Sequence, residues 1–188
     1  LLISSQFQTV GRDLFSRGLV SSHSGNLSIR LGEKIIITRR GSMFNCLQEY
    51  NLIETGINKN NRSTPLASAD LAIHRAIYQE TQALAIVHAH LPHAVALSMT
   101  EAEIVPSVEG LAVTGVVPVV DWKVEEKLRN LAHTVARTLK QHRIIMVRNH
   151  GSFAIGQLLE EAYNFTTALE QSSQVLCLTR TLQVNPVK

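Results

Sequence analysis

The sequence predicts an α/β protein, a mixed sheet covered by helices on both faces, and three observations carry that expectation. Segments with helical spacing of apolar residues alternate with short runs of branched apolar residues. One pair of those runs is joined by a two-residue Gly-Glu turn, which is a hairpin signal. The chain is 188 residues long and 45% hydrophobic, enough for one core at roughly 100–200 residues per domain. Residues 1–188 are expected to form a single domain.

The elements follow in order. Phe7, Val10, Leu14 and Phe15 recur at helical spacing, and Gly18 closes that helix. Leu27, Ile29 and Leu31 alternate with Ser28 and Arg30, and Gly32-Glu33 then turns into the run from Lys34 to Thr38. Residues 58–64 are polar and read as a surface loop. Ser68 can cap a helix over about residues 68–81, for which Leu71, Ile73, Ile77 and Tyr78 supply the apolar positions. Residues 84–88 read as a buried strand, and 116–120 as another despite Pro118. Val124, Leu128, Leu131, Val135 and Leu139 mark the clearest helix. Residues 144–147 and 152–155 read as strands around Asn149-His150-Gly151, and Ala162, Phe165, Leu169, Ser172 and Leu176 mark a last long helix.

Composition excludes several classes. No run approaches the roughly 18 apolar residues of a membrane-spanning helix. The net charge of +3 is too small to argue for nucleic acid. Its distribution says more: residues 1–65 carry eight Lys/Arg against four Asp/Glu, an excess that on charge alone reads as an ordinary solvated surface and, in the sharper reading, as a pocket for a small anion. Cys46 and Cys177 stand alone, matching neither a disulfide framework nor a paired-cysteine zinc site, so a reducing cytoplasm is the expected compartment. The start, Leu1-Leu2-Ile3, has neither an initiator Met nor a signal-peptide pattern, and N-terminal trimming is expected.

The chemistry concentrates in a few places. In a strand, His88 and His90 point to one face roughly 6–7 Å apart, close enough to converge on one metal ion. Leu91-Pro92 ends that strand, and sheet ends are where open α/β folds place ligands. His150 lies in a polar break between two apolar strands and could complete a facial three-histidine set with an open position for substrate. Asp70 and His74 are spaced i, i+4 on the preceding helix, and Asp70 is one of only three aspartates. As plain structure, Asp70 would complement the helix dipole and the histidines would be satisfied polar residues. Ser24-Gly25-Asn26 and Arg39-Arg40-Gly41-Ser42 flank the hairpin. Glycine lets backbone amides approach an anion, Asn and Ser bind its oxygens, and the Arg40 guanidinium suits phosphate.

Taken in order, Ser24-Gly25-Asn26-Leu27-Ser28-Ile29-Arg30, Ile37-Thr38 with Gly41, Ser68 with Asp70 and His74, Val87-His88-Ala89-His90 and Asn149-His150-Gly151 resemble the class II aldolase/adducin family. The resemblance runs from about residue 7 to 180. It implies a single three-layer αβα domain around a mostly antiparallel sheet, assembled as a homotetramer with active sites between subunits. It implies zinc, or another divalent metal, on His88, His90 and His150, and a phosphate pocket at Gly25, Asn26, Gly41 and Ser68. Asp70 takes the acidic position beside the metal.

Three departures stand out. The aldolases have Glu and the epimerases Asp at the Asp70 position. Ala69 and Arg40 replace pocket hydroxyls, and no tyrosine follows Tyr163 to serve as the family's C-terminal proton donor. The implied activity is a zinc-dependent aldolase cleaving a small phosphorylated ketose, such as fuculose 1-phosphate, through an enediolate. A sugar-phosphate 4-epimerase shares that intermediate. For a dehydratase or decarboxylase of the same fold, Glu109 is the candidate second acid/base. A non-catalytic adducin-like module is the reading of another class, and in that branch the metal histidines are expected to be lost.

Overall fold

The computed structural model describes residues 2–21, 24–122 and 128–183. Eight strands form one sheet in the order β3-β2-β1-β4-β8-β7-β6-β5. They are β1 (Asn26–Leu31), β2 (Lys34–Thr38), β3 (Leu52–Gly56), β4 (Ala85–Ala89), β5 (Glu103–Ile104), β6 (Val117–Val120), β7 (Ile144–Val147) and β8 (Gly151–Gly156). Every neighbouring pair is antiparallel except β6 with β7.

Six α-helices are described: α1 (Leu2–Ser16), α2 (Leu71–Glu80), α3 (Pro92–Ser98), α4 (Val108–Thr114), α5 (Leu128–Thr138) and α6 (Leu159–Gln183). Period-2 alternation sorts the sheet's side chains between two cores. On one face Leu27, Val87, Met146 and Ala154 meet Phe7 and Leu14 of α1, Ala94 and Leu97 of α3, and Phe165 and Leu169 of α6. On the other, Ile37, Ile86, Val147 and Phe153 meet Ile73 and Ile77 of α2 and Leu131 and Val135 of α5. The result is three layers, α/β/α. Among the described residues no helix is long and apolar enough to cross a membrane.

The hairpin closes where expected, with Leu31 opposite Lys34. Other boundaries differ. The helix expected from Ser68 begins at Leu71, and Asp70 holds its N-cap position without a side-chain cap bond. Ser68 instead accepts the Asp70 backbone N–H at 3.3 Å, forming a local turn before the helix. β4 starts and ends one residue later than expected, so His88 lies within the strand and His90 just beyond it. Val124, expected in α5, lies outside the described residues. Pro118 is tolerated because its strand partner on that side is the two-residue edge strand β5, where it faces Glu103.

Candidate active site

The centre of the sheet brings the histidines together. β4 pairs with β8, placing His88 opposite Phe153, and the two rings stack at 4.1 Å between centroids. β7 and β8 are joined by the loop Arg148-Asn149-His150, closed by the His150 N–H donating to the Val147 carbonyl at 3.1 Å. Asn149 turns the chain with φ at 53° and is anchored through its N–H to Ser98 Oγ. That turn delivers His150 beside His90, at 4.8 Å between ring centroids. Gly151 is required here by close approach. A Cβ on it would meet the Ala89 carbonyl at 2.5 Å, and His88 and His90 ring atoms at 3.1 Å.

One ligating nitrogen from each of His88, His90 and His150 lies within 4.8 Å of the others. His88 donates its Nδ1–H to the Ser152 carbonyl at 2.8 Å, which leaves the Nε2 lone pair free. That Nε2 faces His90 Nε2 at 3.1 Å. Burial is the main force that lowers the pKa of each ring, with His90 at about 3 and His150 at about 4, so all three are neutral and ready to donate lone pairs. Nitrogens on a tetrahedral zinc at about 2.0–2.1 Å are roughly 3.3–3.4 Å apart, so the donor set fits a small divalent cation.

Asp70 stands beside this triad, its Oδ2 3.6 Å from His88 Nε2, too long for a hydrogen bond. The same oxygen accepts from Asn26 Nδ2 at 2.7 Å. Burial alone would raise the carboxyl, but His88, the Asn26 amide, His74 and His150 outweigh it and hold it below the ordinary carboxylate value.

A cavity of about 170 Å³ opens beside His90, His150 and Asp70, lined by Gly25, Asn26, Arg40, Gly41 and Ser68. Arg39 and Ser42 also line it. Neither Arg39 nor Arg40 has an ion-pair partner among the described residues. The Ser42 hydroxyl is buried and has no hydrogen-bond partner among them.

Glu109 is placed elsewhere. It stands on α4 and lines a separate cavity with Ser172 and Val175 of α6. Two residues that sequence reasoning gave no role border the site. Trp122 packs edge-on against His150 at 5.6 Å, and Ser28 bonds to His74 below Asn26. Only the tertiary fold brings Trp122 there, whereas Ser28 is two residues from Asn26 on the same strand face.

A three-layer fold with three convergent histidines able to hold a metal ion, a neighbouring carboxylate and an arginine-lined cavity defines a class of α/β proteins. The chain belongs to the class II aldolase family: the model for the Class II Aldolase and Adducin N-terminal domain matches residues 5–177. It is 28% identical to an L-fuculose phosphate aldolase of Methanocaldococcus jannaschii, over 92% of this chain and 94% of that one. A crystal structure of l-fuculose-1-phosphate aldolase from Thermus thermophilus superposes with a TM-score of 0.92 at 35% identity, covering 98% of both chains. A probable bifunctional methylthioribose-1-phosphate isomerase/methylthioribulose-1-phosphate dehydratase of Nocardia farcinica is 26% identical over 93% of this chain. The chain spans 35% of that relative's length.

Proposed function

We propose that this protein is a divalent-metal-dependent aldolase that cleaves a carbon–carbon bond in a small phosphorylated ketose such as fuculose 1-phosphate. One observation carries the reading: three neutral imidazoles converge beside a carboxylate at the mouth of a cavity edged by arginines that have no ion-pair partner among the described residues. The relatives named as fuculose phosphate aldolases support the substrate class.

His88, His90 and His150 would hold the ion, zinc in the first instance, which when bound polarises the substrate carbonyl and steadies the enediolate charge. The chain's residues do the rest. Arg40, Gly41, Ser42 and Ser68, with Gly25 and Asn26, bind the phosphate and fix the sugar's direction. Asn26 keeps one amide hydrogen for this, since its other groups already serve Asp70 and His74. Asp70 takes the proton from the hydroxyl whose carbon leaves as the aldehyde, being ionised and within reach of the triad. Asp70 is not among the mutually clustered ligand atoms, which favours a base over a fourth ligand.

The similarity to a relative named as a probable bifunctional isomerase and dehydratase favours dehydration as the second reading. Within one chain Glu109 is away from the triad, so its acid/base role requires the site of a neighbouring subunit. That arrangement belongs to the homotetramer we also propose. Val108, Leu178 and Leu182, exposed at 88%, 56% and 74%, give such an assembly apolar surface. A cytoplasmic location accords with the two free cysteines. The test combines metal analysis of purified protein, light scattering and a screen of phosphorylated ketoses for aldehyde release. One metal per chain, a tetrameric mass and aldehyde from a ketose 1-phosphate are expected. Stoichiometric metal retained by His88→Ala would overturn the ligand assignment, and water loss without aldehyde would replace the aldolase reading by the dehydratase.

A further inference from the structure

Beneath the cavity floor lies a polar chain of which the proposed reaction uses only the Asn26 end. Tyr78, Ser28, His74 and Asn26 are exposed by 1%, 0%, 0% and 3%. The contacts run from Tyr78 OH to Ser28 Oγ at 2.8 Å and from Ser28 Oγ to His74 Nδ1 at 2.6 Å. They continue from His74 Nε2 to Asn26 Oδ1 at 2.5 Å and from Asn26 Nδ2 to Asp70 Oδ2 at 2.7 Å.

The direction of every hydrogen is determined. A carboxylate only accepts, so Asn26 presents its NH2 to Asp70 and its oxygen to His74. An amide oxygen has no hydrogen, so His74 carries its proton on Nε2 and accepts at Nδ1. Ser28 must then donate to His74, and Tyr78 to Ser28. In the other tautomer, His74 Nε2 would demand the Asn26 NH2 and turn the amide oxygen against the Asp70 carboxylate. In a buried site that juxtaposition is strongly unfavourable.

We propose that Tyr78, Ser28 and His74 are positioning residues: they fix the His74 tautomer, which orients the Asn26 amide, which holds Asp70 against the triad. The role of Asp70 itself rests on the aldolase reading above. Tyr78, Ser28 and His74 act through Asn26 and Asp70 and touch no substrate themselves. Their loss therefore lowers kcat and leaves binding of the phosphorylated sugar largely intact.

The first experiment is independent of activity. Long-range ¹H–¹⁵N spectra of the metal-free wild-type protein at pH 7 should show His74 neutral with its proton on Nε2; a proton on Nδ1 overturns the proposal. The second uses zinc-loaded protein and fuculose 1-phosphate. His74→Leu should lower kcat by about 10–100-fold, as loss of a group supporting a site residue commonly does, with KM changed less than about threefold and zinc content unchanged. His74→Gln, which can still offer an N–H to Asn26, should recover most of that loss. Tyr78→Phe should cost about fivefold, the worth of one typical hydrogen bond. Unchanged kcat in His74→Leu, or a loss confined to KM, overturns the proposal. If His74→Leu does not fold, the tautomer and Tyr78→Phe still decide it. Full activity of Asp70→Asn would defeat the assignment of Asp70 as base while the Nε2–H tautomer stood, so the two failures are distinguishable.

Discussion

At the scale of single residues, the proposed reaction turns on Asp70. Three imidazoles suffice to hold an ion, so Asp70→Asn should abolish turnover, by at least about 100-fold for a lost general base, and leave metal content intact. Loss of the metal in that variant would make Asp70 a ligand. Asp70→Glu then asks whether the longer side chain of the aldolases improves cleavage. The pocket gives a second expectation. Arg40→Ala and Ser42→Ala should each raise KM for phosphorylated ketoses, Ser42 by about 5–10-fold through the loss of one hydrogen bond to a charged group, with little effect on unphosphorylated analogues. Equal effects on both substrates would remove the residue from the phosphate pocket. The histidines, Asp70 and the glycine-flanked hairpin were legible because their spacing carries the geometry. Ser42 was visible only as one of several turn residues. That its hydroxyl is buried without a partner among the described residues is a property of the surrounding fold. For Glu109 the spacing carries no such geometry, since an acidic residue beside a glycine says nothing about which cavity it will line.

At the scale of elements, short segments escaped the pattern. α4 carries Gly110 in its interior, which argues against a helix until its neighbour is seen. A Cβ there would fall 2.0 Å from Ser172 Oγ of α6, so the glycine lets two helices touch. β3, at Leu52–Gly56, has too few residues for its alternation to stand out, and α3 begins at Pro92, the residue that ends a strand in the sequence pattern. The long apolar runs were legible because both faces of the central strands are covered. The tightest element-level constraint is Gly151. Its replacement by alanine must push β8 off the Ala89 carbonyl or displace two ligand rings. Gly151→Ala should therefore weaken metal affinity by about 10-fold or more, through disturbed support of the rings, while circular dichroism stays native-like. Titration with zinc against a competing chelator measures it, and wild-type affinity would show that the loop absorbs the methyl.

For the whole molecule, the buried histidines link stability to pH. His74, His90 and His150 titrate at about 3, 3 and 4 in the fold, against an ordinary 6.5. Between those values and 6.5 the unfolded chain binds more protons than the native one, so stability rises with pH across that window. Metal-free protein should be fully stabilised above about pH 6.5 and weaken below it, by up to about 1.4 kcal/mol per pH unit from fully buried His74 alone. Urea midpoints of chelator-treated protein at pH 7.5 and 5 test this, and equal midpoints would refute it. Strand order was not legible in the same way, because pairing of β4 with β1 and β8 joins segments separated by about 60 residues. That pairing has a kinetic consequence. β4 is the sheet's middle rung, bonded on both sides, and it carries one imidazole within it and another just past its end. Its amides should exchange with solvent deuterium only through global unfolding, together with those of β8 and far more slowly than those of β3 at the sheet's margin. The His88 ring therefore cannot escape by local fraying. A bound ion would come and go through the 170 Å³ opening, at a rate governed by solvent and by the arginines at its rim.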